Sequence, residues 1–113
     1  MLSMTLTFAG NENMNSVNTV DNEKVYDLSV NIARLSKALH LKDDQVEAVA
    51  EIHKTFCSEM VFATRYDEAE RDARVDAAIK KDLGFMDYIL ERDQYKTYVR
   101  LLNATMNNRG LNK

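Results

Sequence analysis

The chain has 113 residues, 45% of them apolar and 29% charged, and a formal net charge of −3. That length supports one hydrophobic core, and the composition is neither that of a disordered chain nor that of a membrane span. Basic residues are interleaved with acids, as in RYDEAERDARVD. This argues against the clustered Lys and Arg that phosphate-backbone binding requires, so no nucleic-acid partner is expected.

Proline is absent and glycine occurs three times. Leu, Ala and Met alternate with Lys, Glu and Arg, which predicts an all-α fold. Three to four amphipathic helices are expected, packed as a bent hairpin or small bundle behind a flexible N-terminal segment. Cys57 is the sole cysteine, so no intrachain disulfide can form.

Residues 1–20 are read as a flexible N-terminus and 21–113 as a single helical domain. Leu2 to Phe8 is a short apolar run followed by the small pair Ala9-Gly10, and no Lys or Arg precedes Lys24. The run is far below the ~20 apolar residues that span a bilayer, and no transmembrane segment is expected. It fits either the end of a signal peptide that starts upstream or a loose apolar terminus, and the first reading is preferred. A periplasmic or secreted location follows from it, with the cytoplasm as the alternative. Asn11 to Asn22 holds five asparagines and reads as a tether.

Asp21 is the expected N-cap of the first helix, with Glu23 in its first turn. Val25, Leu28, Ile32, Leu35 and Leu39 recur at 3, 4, 3, 4 spacing and form one helical stripe. The second stripe is Val46, Val49, Ile52 or His53, Phe56, Met60 and Ala63, and it fades into a turn or kink at Tyr66-Asp67-Glu68. The third is Val75, Ile79, Leu83, Met86 and Leu90. Gly84 inside it predicts a close helix approach or a local bend. The fourth is Tyr95, Tyr98 or Val99, Leu102 and Met106. Gly110 is expected to take the left-handed conformation after the last turn and to let Leu111 fold back onto Met106.

The joints before the second and fourth stripes carry nearly the same pentapeptide: LKDDQ at 41–45 and LERDQ at 90–94. The shared letters are Leu41 and Leu90, Asp44 and Asp93, and Gln45 and Gln94. This duplication resembles the LTxxQ family, the periplasmic helical proteins typified by Spy and CpxP, in which Leu-Thr-x-Glu-Gln occurs twice at helix starts. There the Thr caps the helix and the Gln reaches back to the Thr N–H, while the Leu staples onto the helix. Lys42 and Glu91 stand where that family has Thr, so half of each capping box is missing. The ending YILERDQYKTYVRLLNATMNNRGL is also similar to small exported helical proteins of unknown role from Bacteroidetes.

The resemblance implies a bent helical hairpin, often dimeric, that binds unfolded clients or a sensor domain. The expected function is therefore non-enzymatic: chaperone-like or stress-regulatory binding of a protein partner in the bacterial envelope. A self-associating structural module, a homodimer, is the alternative. Phe62, Phe85, Tyr88, Arg92, Tyr95 and Arg100 are the candidate partner surface, because Tyr and Arg concentrate at hot spots and both Phe fall off the stripes. His53 and Cys57, at i, i+4, could be two ligands of a metal, but only His40 and carboxylates could complete the set. Cys57 reads better as a small buried hydrophobe. The acids around Asp43-Asp44 and Asp67-Glu68-Glu70 read as helix-start and surface charge. No catalytic residue, metal or cofactor is expected.

Overall fold

The first apolar stripe does not lie on one helix. In the computed structural model, which describes residues 23–111, a helical turn over 23–26 gives way to non-helical chain over 27–31. The cause is local. Asp27 accepts a hydrogen bond from the Ser29 N–H at 3.0 Å, and Asn31 accepts one from Arg34 N–H at 3.1 Å. Short polar side chains of this kind compete with the helical ladder and favour caps. Helix α1 (Ile32–Leu39) therefore starts afresh at Asn31. The stripe still faces inward, with Leu28, Leu35 and Leu39 all buried. The expected cap at Asp21 lies outside the described residues.

Helix α1 ends with His40 in the left-handed region at φ 56°. The His40 N–H donates to the Lys37 carbonyl at 3.3 Å and the Leu41 N–H to the Ser36 carbonyl at 2.9 Å, the pairing of a Schellman motif. Helix α2 (Asp43–Ala63) and helix α3 (Glu68–Ile89) follow, joined by a tight turn in which Asp67 caps α3 by accepting from the Glu70 N–H. They run antiparallel: Gln45 bonds to Ile89 at one end, and Glu59 pairs with Lys81 nearer the tip. After the break at Leu90-Glu91, helix α4 (Arg92–Asn108) folds back. Its end is as expected, with Gly110 at φ 71° and the Leu111 N–H on the Met106 carbonyl at 2.9 Å.

The core joins Val49, Phe56 and Met60 of α2 to Met86 of α3, Tyr98, Leu102 and Met106 of α4, and Leu35 and Leu39 of α1. On α3 the fully buried seam is Ala78, Asp82 and Met86, and the expected Val75, Ile79 and Leu83 flank it half-buried. On α2 the buried seam also includes His53, with Ile52 half-buried at its edge. Gly84 needs correction. It is exposed, a Cβ there would meet nothing within 4 Å, and α3 continues through it.

Arg109 ties the two ends of the fold together. Its Nη1 donates to the carbonyls of Lys24, Val25 and Asp27 at 2.6, 3.2 and 2.9 Å. The chain leaves the helical conformation at Asp27, whose N–H donates to the Lys24 carbonyl at 3.3 Å, so no continuing turn supplies donors to Val25 and Asp27. The described residues extend over 49 × 27 × 20 Å, and none of their helices is long and apolar enough to cross a membrane.

Candidate functional site

The two pentapeptides are the two faces of one joint. Within each copy, the glutamine sits at the third helical position and its Oε1 accepts from the N-cap N–H. The distance is 2.8 Å from Lys42 to Gln45 and 2.8 Å from Glu91 to Gln94. That is the glutamine half of a capping box. The other half is absent at Lys42, since an ammonium cannot accept; the Gln45 N–H donates instead to the Lys42 carbonyl at 2.8 Å.

Between copies, Gln45 Nε2 donates to Gln94 Oε1 at 2.8 Å, and Gln94 Nε2 donates to Gln45 Oε1 at 3.0 Å. The second amide proton of Gln45 goes to the Ile89 carbonyl and that of Gln94 to the His40 carbonyl, each at 3.1 Å. Both acceptor positions and both donors of each carboxamide are thus used, and both residues are 8% exposed. A buried polar network is favourable only when every member is satisfied, and this one is. Leu90 is buried and Leu41 half-buried against the same core, while Asp44 and Asp93 stay exposed at the helix starts, where their charge suits the dipole.

The second residues of the two pentapeptides, Lys42 and Glu91, also meet. Lys42 Nζ and Glu91 Oε2 lie 2.6 Å apart, and Glu91 holds the ammonium's pKa above its ordinary value. Both side chains are well exposed, so this pair selects register more than it adds stability.

A second buried polar group runs through the core. Cys57 Sγ lies 3.3 Å from His53 Nε2, and the Tyr98 hydroxyl donates to Asp82 Oδ2. Burial pushes the Cys57 thiol up to about 12 and lowers the imidazole of His53. A thiol so held is a poor source of thiolate, the form that attacks or ligates. Burial also raises the Asp82 carboxyl to about 6 and pushes the Tyr98 phenol further up. The described residues contain no group of three His, Cys, Asp or Glu placed to hold a metal. The His53–Cys57 pair therefore gains no third ligand among them.

The candidate partner residues fall into separate regions. Phe62 stands at the hairpin tip, edge-on to Tyr66 with ring centres 5.6 Å apart, with the Arg65 guanidinium 5.3 Å from its ring. Arg74 stacks on Tyr66 at 3.8 Å and pairs with Glu70. Phe85, 52% exposed, instead rims a shallow groove of about 160 Å³ between α2 and α3. Ile52, Phe56 and Asp82 line the groove, as do Glu51, Glu59 and Lys81. Tyr88, 87% exposed, lies one turn beyond Phe85 on the same helix. Tyr95 is half-buried against the core, whereas Arg92 and Arg100 are exposed on α4.

Two structural residues went unnoticed in the sequence. Asp82 follows Ala78 and precedes Met86 by one turn each, a period that marks it as a seam position despite its charge. Arg109 precedes the C-terminal Gly110, and nothing in its local sequence indicates its three carbonyl partners. No protein-family model, curated protein or solved structure matches the chain.

Proposed function

We propose that this chain is a non-enzymatic helical binding protein that takes an apolar segment of a protein partner or unfolded client along the α2–α3 groove. The observation that carries this reading is the exposed Phe85 at the rim of the groove that Ile52 and Phe56 line, with the exposed Tyr88 one turn further along α3. Large aromatics left in water next to a concave apolar surface are the usual anchors of a protein contact. The protonated, buried thiol of Cys57 and the internal bond between Asp82 and Tyr98 support a packing role for the polar core. A chaperone-like or stress-regulatory role in the bacterial envelope is supported by the likeness of LKDDQ and LERDQ to the family's corner motif.

The test is suppression of aggregation of a chemically denatured client, measured by light scattering with the wild type and with Phe85→Ser/Tyr88→Ser. The reading expects substoichiometric to equimolar wild type to suppress scattering and the folded double variant to lose most of that effect. Equal suppression by both proteins, or none by either, would overturn it. Fractionation of cells carrying the complete gene tests the envelope location separately.

A further inference from the structure

The groove between α2 and α3 holds more negative charge than its own cation neutralises. Glu51 and Glu59 come to it from α2, about two turns apart, and Lys81 and Asp82 from α3. The Lys81 ammonium is committed to Glu59, 2.8 Å from its carboxylate. Among the described residues, neither Glu51 nor Asp82 has an ion-pair partner.

Asp82 is the unusual member. It lines the groove yet is only 2% exposed. Its Oδ2 accepts from the Tyr98 hydroxyl, while its Oδ1 has no hydrogen-bond partner among the described residues. A buried carboxylate oxygen ordinarily accepts from a donor, and leaving it bare is costly. Burial, helped by the charge of Glu59, raises this carboxyl to about 6, so the group is still ionised at neutral pH. The bare oxygen is a place for a donor, and the second negative charge at Glu51 favours a donor that is itself cationic.

Size narrows the occupant further. At about 160 Å³ the groove is well below the ~300–1,000 Å³ of sites that enclose small organic ligands. A space of that size suits a side chain carried by a longer segment, and the exposed Phe85 at its rim offers the neighbouring residue an apolar contact. We infer that the segment taken by the groove carries a Lys or Arg beside an apolar residue, the cation toward Glu51 and Asp82 and the apolar side chain against Ile52, Phe56 and Phe85. This names the partner chemistry of the groove reading above and rests on that reading. A purely apolar segment leaves Asp82 bare, and an acidic one adds like-charge repulsion.

Binding of rhodamine-labelled peptides to the full chain tests it, read by fluorescence anisotropy at neutral pH. The probes are Gly-Ser-Leu-Lys-Phe-Leu-Ser-Gly and the same peptide with norleucine or Glu in place of Lys. The lysine peptide should bind about tenfold or more tighter than the norleucine peptide, with the glutamate peptide weakest. Glu51→Gln and Asp82→Asn, which keep shape and remove charge, should each take away most of that preference. Lys81→Gln frees Glu59 and should tighten binding of the lysine peptide alone, a gain that a misfolded variant cannot produce. Equal affinity for the lysine and norleucine peptides, both weakened by Phe85→Ser, would overturn the inference and keep the groove reading. A lysine preference that Glu51→Gln and Asp82→Asn both leave intact would overturn it as well. So would binding of no peptide, and the light-scattering comparison then decides the groove reading by itself.

Discussion

The side-chain amides of Gln45 and Gln94 exchange two hydrogen bonds while each also caps its own helix. Each glutamine thereby completes the other's corner, and the α1–α2 and α3–α4 joints become a single buried contact. This fixes the open end of the α2–α3 hairpin. It also sets the direction in which α4 leaves, which brings Tyr98 to Asp82 and Arg109 to the first helical turn. Glutamine is required over glutamate, because a carboxylate facing the opposing Oε1 and carbonyl has no proton to donate to either.

His40→Gly is expected to stabilise the protein by about 0.5–1 kcal/mol, since a non-glycine residue in the left-handed region is strained and glycine is not. The His40 carbonyl that receives Gln94 is kept. Urea unfolding measures the change, and a lower midpoint would show that the imidazole itself holds the corner.

Gly84→Ala should raise stability by about 0.5–1 kcal/mol, because the position is helical, exposed and open to a Cβ. A loss of stability on thermal unfolding would reinstate a close neighbour at that face.

Lys42→Thr should raise the urea midpoint, because the hydroxyl can accept from the helix start where the ammonium cannot. The exposed pair with Glu91 is lost in the exchange, a smaller effect. An unchanged or lower midpoint would mean that the cross-corner charge pair outweighs the cap.

Asp82 gives the pH dependence a definite sign. Its carboxyl is raised from 3.8 to about 6 in the fold, chiefly by burial. The folded chain thus holds a proton that the unfolded chain releases between about pH 4 and 6. Stability from this group falls as pH rises through that window and is level above it, a change of no more than about 3 kcal/mol. His53 acts oppositely: its lowered pKa removes stability as pH falls below 6.5. The difference between wild type and Asp82→Asn cancels the histidine term and leaves that of Asp82. Urea midpoints for both proteins between pH 4 and 7 should converge at the acid end and separate with the wild type lower at neutral pH. A difference constant with pH would contradict the assignment.

Periodicity located most of the core, because Val49, Phe56, Met60, Leu102 and Met106 bury along single helix faces and need only local spacing to be found. The C-terminal cap was equally legible, since Gly110 has one conformational use there. What the letters did not reveal depends on competition or on distance. The stripe through Leu28 and Ile32 kept its period across a chain break that Asp27 and Asn31 impose by bonding to nearby backbone. Asp82 was hidden because the apolar letters of α3 flank the seam and do not define it. The repeat was visible, but that its two copies touch is a property of the folded chain.

The most direct test of the joined corners is a double-mutant cycle on Gln45→Ala and Gln94→Ala, read by urea unfolding. Each single change leaves buried amide and carbonyl groups without partners and should lower stability by about 2–3 kcal/mol. The double variant should be less destabilised than the sum of the two by at least about 1 kcal/mol, because the second truncation removes groups already orphaned by the first. Additivity within about 0.5 kcal/mol would show two independent corners and contradict the account.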